Sequence, residues 1–327
     1  MRDGIDTATT WGRRFDSMTG EGAGGVAAGE DRGPGAAATL RDLDLPELFR
    51  AADRASATAQ RRFVRSSAAQ LALLGGAALA GATPTPPKWP QVLAVIALFS
   101  AAVLKTHLLG TKPDRTWYEG RAAAESAKTL AWRYAVGGSP FHADGEPGPA
   151  AGKLLIARLS ELVRPLREVT LIPSVERSQQ ITDAMEALRS RSLEDRRTAY
   201  VEGRLEDQRV WYVTKARWNA RRAELWGAAM LAFEVAGVAA AVVRLTTHTR
   251  YDFVGVAAAA AGAIAAWIQT KDHGALASAY SVTAREISDI EALADEPRTE
   301  SEWARFVEHA EEAISREHTL WRASRGT

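Results

Sequence analysis

Cysteine is absent from all 327 residues, which excludes disulfides, thiolate metal sites and a cysteine nucleophile. Net charge is nearly absent as well. Lys and Arg number 41 against 40 Asp and Glu, leaving +1, so nothing global points to nucleic acid and any basic patch has to be local. Histidine is scarce and scattered: His107, His142, His248, His273, His309 and His318 form no HExxH, and each reads as a surface or interfacial side chain rather than a ligand. No GxSxG occurs. "GEGAGG" near residue 20 follows no strand, and "GKL" at 152–154 lacks the upstream Gly and the Ser/Thr of a phosphate loop. The acid pairs Glu311 with Glu312 and Asp289 with Glu291 lie in helical patterns whose charges suit solvated faces. No catalytic residue, metal or cofactor is expected.

The first 40 residues carry no compact apolar core, so no secretory signal is predicted there. Their Gly- and Ala-rich stretch, "GEGAGGVAAGEDRGPGAAA", reads as a disordered tail over 1–40.

Apolar residues are present in concentrated blocks. From Ser66 to Leu104 the only formal charge is Lys88, and the prolines of "TPTPPKWP" (83–90) divide the run into 66–82 and 91–104. A second pair, 225–243 and 252–269, flanks the short turn "RLTTHTRY". The blocks are rich in Ala and Leu without period-2 alternation. At 1.5 Å per residue, a block of roughly 17–20 residues spans about 26–30 Å, close to one hydrocarbon layer. Basic residues gather outside the hairpins: Arg61, Arg62 and Arg65 before the first, Lys105, Lys112 and Arg115 after it, Lys215, Arg217, Arg221 and Arg222 before the second, Lys271 after it. The turns hold fewer, so both termini and the middle are expected in the cytoplasm. Trp89, Trp226, Tyr251 and Trp267 stand near block ends, where interfacial aromatics collect. The fold class expected is an all-α membrane protein: two transmembrane hairpins, 66–82/91–107 and 225–243/252–269, with long cytosolic helices extending from them. A soluble bundle burying the same blocks is the competing reading.

Small residues recur every fourth position, as Ala228, Ala232, Ala236 and Ala240 and as Gly255, Ala259 and Ala263. Such stripes let helices pack closely in lipid.

Outside the blocks, 117–141 predicts a helix ending at Gly137 and Gly138, and "FHADGEPGPAAG" predicts a loop. Two amphipathic helices are expected at 153–168 and 174–190, separated by Pro173. A long helix over 193–226 leads into the third span. In it Leu205, Tyr212 and Asn219 lie seven apart, as do Arg204, Trp211 and Trp218. That near-constant face makes Trp211, Tyr212, Trp218 and Asn219 helix-packing candidates rather than base-stacking ones. Lys215, Arg217, Arg221 and Arg222, with Arg61 and Arg62, sit beside spans where anionic lipid headgroups are natural partners. The last span is expected to continue into "TKDHGALASAY", followed by a charged helix over 299–323. Helical spacing on it makes Trp303 and Trp321 further packing candidates.

These segments resemble the SLATT family, the two-transmembrane effectors associated with SMODS nucleotidyltransferases and SLOG sensor domains. The resemblance rests on "DLPELFRAADRASATAQRRF" and "AAAESAKTLAWRYAVGGSPF" around the first hairpin. It continues through "YVEGRLEDQRVWYVTKARWNARRAELW", "AYSVTAREISDIEAL" and "WARFVEHAEEAISREHTLW" around and after the second. The motif residues are Tyr212, Lys215, Asn219, Trp303, Glu311, Glu317, His318 and Trp321. The organisation read from it is a unit over 41–141, linker helices over 142–192 and a second unit over 193–323. The resemblance implies a prokaryotic membrane effector that forms pores, with no catalytic residue and a separately encoded nucleotide-signal synthase or sensor as partner.

One residue stands out. Glu234 lies twelve residues after Arg222 and ten before Arg244, about 15–18 Å from each basic edge. A charge at that depth costs about 2.5–3.5 kcal/mol on insertion scales. Two readings stay open: a neutral acid hydrogen-bonded to another helix, for instance to Ser100, or a ring of carboxylates around the axis of a homo-oligomer that attracts cations. The function expected is an oligomeric effector that permeabilises the bacterial inner membrane. A membrane-anchored scaffold that conducts nothing is the alternative.

Overall fold

The computed structural model describes residues 39–82, 88–142, 149–173, 179–247 and 250–325, with side chains as far as residue 315 in the last stretch. The expected tail lies outside the described residues except at 39 and 40. The turn at 83–87 lies outside them too, as do His248 and the side chains of Glu317, His318 and Trp321.

The regular secondary structure of the described residues is all helical, with no strand among them. After a 3-10 turn at Asp42–Asp44 come α1 (Glu47–Gly81), α2 (Trp89–Thr111), α3 (Pro113–Val136), α4 (Pro149–Val163), α5 (Asp183–Arg189) and α6 (Leu193–Tyr200). A π-helical segment, Val201–Glu206, leads into α7 (Asp207–Thr246), followed by α8 (Phe253–Lys271), α9 (His273–Glu291) and α10 (Glu300–Arg325). Helices long and apolar enough to cross a membrane number four among the described residues, built on α1, on α2, on the run ending in α7 and on α8.

The chain divides into two compact units. A hairpin unit holds Ala59–Asp114 and Arg217–Ser278, and a helical unit holds Met1–Thr58, Arg115–Ala216 and Ala279–Thr327.

In the hairpin unit the usual distribution of side chains is inverted. Within its spans the buried positions include the small Ala77, Ala101 and Ala257, whereas Leu98, Phe99, Leu231, Phe233, Val235 and Val238 are exposed. The most apolar windows of the four helices are 11%, 11%, 0% and 6% buried. Such continuous apolar surface is far larger than a water-soluble monomer presents, and small residues inside with large ones outside is the packing that lipid favours. The chain is a multi-pass membrane protein. Of the two small-residue stripes, Gly255, Ala259 and Ala263 on α8 are half-buried, whereas Ala228, Ala232 and Ala236 on α7 face outward. The close approach instead uses Gly237, where an added Cβ would lie 3.4 Å from Ala257 Cβ. At the turn of the second hairpin, Asp252 accepts from the Gly255 amide at 3.1 Å and pairs with Arg244 at 3.2 Å, joining the ends of α7 and α8.

The helical unit has a conventional core. Ala124, Ala127, Ala131 and Ala135 give α3 a flat face on which Trp132, Tyr200 and Trp303 pack edge to face, with centroids 6.0 and 5.8 Å apart. Helix α3 ends in a Schellman motif: Gly137 takes φ 75°, the Gly138 amide donates to Arg133 O at 2.7 Å and the Gly137 amide to Tyr134 O at 3.3 Å.

Several expected boundaries move. The first helix of 142–192 begins at Pro149 and stops at Val163, not 168, because Pro165 has no amide hydrogen to continue it and disfavours helix at Arg164. Beyond it Glu119 accepts from the amides of Arg167 and Glu168 at 3.0 and 2.9 Å. In the described part of the second, 179–190, the helix is Asp183–Arg189. Residues just before it cap α1: Gln179 O accepts from the Glu47 amide at 3.0 Å and Gln180 Oε1 from the Leu48 amide at 3.3 Å. Thr182 then caps α5 itself, accepting from the Met185 amide at 3.3 Å. The fourth span does not run on unbroken, since Asp272 adopts a left-handed conformation between α8 and α9.

Candidate functional site

Two places combine burial, charge and position: the hairpin unit with its flanking cations, and a polar cluster inside the helical unit.

Glu234 sits in the middle of the apolar stretch of α7 and is exposed, with no hydrogen-bond or ion-pair partner among the described residues. The contact with Ser100 that one of the two readings offered is not made, and the small neighbours Gly227, Gly237 and Ala241 do not draw it inward. The face of α7 turned to the other helices carries Asn219, Trp226 and Gly237, and Glu234 lies on its flank. A carboxylate so placed meets lipid or another molecule.

Some of the cations beside the hairpins share this lack of an ion pair. Arg61, Arg62, Arg217 and Arg221 are exposed and form no ion pair among the described residues. Arg222 lies over the Trp218 ring at 5.2 Å and Lys271 over the Trp267 ring at 5.7 Å. In the helical unit, Lys215 lies over Trp211 at 5.8 Å. Trp218 meets the His273 ring at 5.3 Å, and His273 Nδ1 lies 2.7 Å from Asn219 Oδ1, both residues being buried. Tyr212 is buried and packs with Trp211 against Tyr280, and Trp303 is buried in the core. Burial of His273 corrects the surface half of the expectation that each histidine is a surface or interfacial side chain. His273 is the first residue of α9 and packs against Trp218 and Asn219 of α7.

Inside the helical unit, Glu311 of α10 accepts two bonds from Arg204, at 2.9 and 2.8 Å, one from Tyr200 Oη at 3.1 Å and one from Thr129 Oγ1 at 2.8 Å. Arg204 is 1% exposed and Glu311 0%. This corrects the solvated-face reading of Glu311. Position 311 is four residues after Val307 and seven after Ala304, both buried, so the carboxylate falls on the apolar stripe. Burial pulls the Arg204 guanidinium down, but the Glu311 charge and its hydrogen bonds outweigh burial and hold it above its ordinary value. Burial, then the Glu311 charge, pushes the Tyr200 hydroxyl well above the usual phenol range. The guanidinium stays charged and the tyrosine neutral, which suits a fixed structural joint rather than proton transfer. Glu291, another of the acids expected to be solvated, pairs with Arg209 at 2.8 Å.

A set of arginines that sequence reading did not single out closes the end of α3. Arg189 donates to the carbonyls of Tyr134 and Phe141 at 2.6 and 3.0 Å, and Arg196 to Val136 O at 2.8 Å. Trp303 Nε1 donates to the same Val136 carbonyl at 2.9 Å. These cations satisfy the carbonyls that a helix C-terminus leaves unpaired. Among the described residues no group of three or more His, Asp or Glu is placed to hold a metal.

Neither the curated proteins nor the solved structures offer a match. Two family matches cover most of the chain in tandem. Residues 46–197 match SMODS and SLOG-associating 2TM effector domain 3, and residues 200–321 match SMODS and SLOG-associating 2TM effector domain 1. Each match contributes one hairpin to the hairpin unit and helices to the helical unit. These are membrane-spanning effector domains associated with conflict and defence systems and are not a known enzyme family. With four spans in two hairpins and a family match over each, this chain belongs to the SLATT family, as two SLATT units in tandem.

Proposed function

We propose that the protein is an effector that assembles as a homo-oligomer in the inner membrane of a bacterium and permeabilises it during a response to infection, gated through its cytosolic helices. The observation that carries this reading is Glu234. It is exposed at mid-depth of an apolar helix with no partner among the described residues. A carboxylate facing lipid is disfavoured by about 2.5–3.5 kcal/mol. Several copies arranged around an axis remove that cost by giving the carboxylates water to face, and the resulting ring attracts cations.

The unpaired Arg61, Arg62, Arg217 and Arg221, with Arg222, support an orientation in which this edge meets the anionic lipid of the cytoplasmic leaflet. Both termini then lie in the cytoplasm. The unbroken α7 carries this edge and Glu234 on one rod, which makes it the natural lever. A separately encoded nucleotide-signal synthase or sensor is the partner that the family association suggests.

The experiment is potassium flux from proteoliposomes of phosphatidylethanolamine and phosphatidylglycerol. Glu234→Gln is expected to insert normally and to alter flux or cation selectivity. Flux identical to that of the unaltered chain removes the acid from the mechanism. A chain that passes neither ions nor dye in its oligomeric state is the anchored scaffold instead.

A further inference from the structure

Contacts within the hairpin unit fix the register of its second hairpin. Gly237 approaches Ala257, the rings of Trp226 and Trp267 meet at 6.1 Å, and His273 Nδ1 lies 2.7 Å from Asn219 Oδ1. Each step back along α7 is matched by a step forward along α8 toward α9. Arg222 stands four residues before Trp226, and Lys271 four after Trp267, one turn along nearly the same side of each helix. The two cations therefore come level with one another, between the tryptophan pair and the Asn219–His273 pair. Neither is a fully solvated charge: Lys271 is 5% exposed and Arg222 is half-buried.

Donors outnumber acceptors at this level. Arg222 lies over the Trp218 ring and forms no hydrogen bond or ion pair among the described residues. The Lys271 ammonium lies over the Trp267 ring. One turn deeper, Trp267 Nε1 is a buried donor with no acceptor among the described residues. The acids nearest in sequence, Glu224 and Asp272, are exposed. A buried donor without an acceptor is disfavoured, and two cations held at one level repel. An anion carrying several acceptor oxygens relieves both. Indole rings bounding a cationic step also match the order of a headgroup layer, with cations at the phosphates and rings beside them. The exposed Arg62 and Arg221, by contrast, make no ring contact.

We propose that Arg222, Lys271 and Trp267 form a discrete binding site for the phosphodiester of an anionic phospholipid at the cytoplasmic end of the second hairpin. The inference rests on the orientation given above, in which this edge meets anionic lipid, and narrows that diffuse attraction to one seat. The guanidinium and the ammonium hold the phosphate oxygens by charge-assisted hydrogen bonds, and the indole N–H is the third donor. Seating the lipid includes a rotation of that indole, since its Nε1 is closed to solvent. The site needs no pore and holds equally for an anchored scaffold.

The test delipidates the full chain in neutral detergent and titrates it with phosphatidylglycerol or phosphatidylethanolamine, with native mass spectrometry counting the lipid retained. The unaltered chain is expected to hold phosphatidylglycerol in preference to phosphatidylethanolamine. Arg222→Gln and Lys271→Gln are each expected to weaken that binding by about tenfold, the scale of a charge-assisted hydrogen bond. Trp267→Phe, which keeps an aromatic ring and removes the N–H, is expected to weaken it by about threefold. Arg62→Gln and Arg221→Gln remove the same charge at exposed positions and are expected to change it by less than about twofold. Equal losses at all four cations overturn the site and leave the diffuse attraction standing. No preference for phosphatidylglycerol in any chain overturns the orientation as well. If Lys271→Gln does not fold, Arg222→Gln and Trp267→Phe decide between these outcomes. Displacement of the lipid by excess inorganic phosphate, beyond that caused by chloride at equal ionic strength, gives the same donors to a soluble phosphate and overturns the lipid.

Discussion

Arg204 and Glu311 form a bidentate ion pair, at 2.9 and 2.8 Å, from which water is excluded on every side. The pair ties the π-helical segment before α7 to the last helix, and Thr129 brings α3 to the same carboxylate. Removing one partner strands a buried charge, which costs about 3–5 kcal/mol, whereas replacing both with apolar groups is often neutral. Glu311→Ala is expected to lower stability by that amount in detergent. The double change Arg204→Met with Glu311→Leu is expected to recover most of it. Fluorescence of the buried Trp132 and Trp303 during denaturant titration reads both.

Packing of the hairpin unit predicts an asymmetry opposite to that of a soluble protein. Ala257→Leu inserts bulk where Gly237 approaches, so it is expected to cost about 1–3 kcal/mol. Phe99→Leu on the exposed face is expected to change stability by about 0.5 kcal/mol or less. Unfolding in mixed micelles at rising dodecyl sulfate fraction measures both. Equal sensitivity at the two sites contradicts the inverted arrangement.

Asp53 on α1 predicts a pH effect. Burial raises its carboxyl above the ordinary value of 3.8, with Arg121 opposing and Asp42 and Glu125 adding to the rise. An acid whose folded value is raised favours the folded state below its unfolded value and loses that advantage as pH rises through the folded one. At neutral pH the charged form is therefore a burden. Asp53→Asn is expected to raise the melting temperature at pH 7, with the gain fading as pH falls below about 4. A gain that persists in acid assigns the effect to packing instead.

A carboxylate is equally revealing where its depressed titration comes from a helix cap. Glu302 accepts from the amides of Arg298 and Thr299 at 2.8 and 3.0 Å, and Thr299 accepts from the Glu302 amide at 3.2 Å. These backbone hydrogen bonds hold its carboxyl below the usual 4.5, completing a capping box at the start of α10. Its contribution is present above the unfolded value and lost as pH falls through the folded one. Glu302→Ala is expected to fray the start of α10, read as faster amide exchange over residues 299–303 at neutral pH.

How much of this was legible in the sequence follows from the physics of each feature. The spans were, because hydrocarbon thickness fixes both length and composition. So was the face shared by Leu205, Tyr212 and Asn219, because seven-residue spacing returns a helix to nearly the same side. Glu311 left a signal that was read the wrong way. Its neighbour Glu312 suggested solvent, but its spacing from Val307 placed it on the buried stripe. The outward direction of Glu234 left none, since a helix that is apolar on every side has no periodicity to orient it. Asp272 was silent too, because the usual marker of a left-handed residue is glycine. The shortened α5 escaped notice for a tertiary reason: the residues before it serve α1.

The central claim is that hydrocarbon surrounds the two hairpins. It is tested most directly by spin labels placed singly at Phe99, Val235 and Arg221 of the reconstituted chain, with collision rates measured against oxygen, which partitions into lipid, and a charged nickel chelate, which does not. The account predicts high oxygen and low nickel accessibility at Phe99 and Val235, and the reverse at Arg221. Nickel accessibility at Phe99 and Val235 equal to that at Arg221 contradicts it.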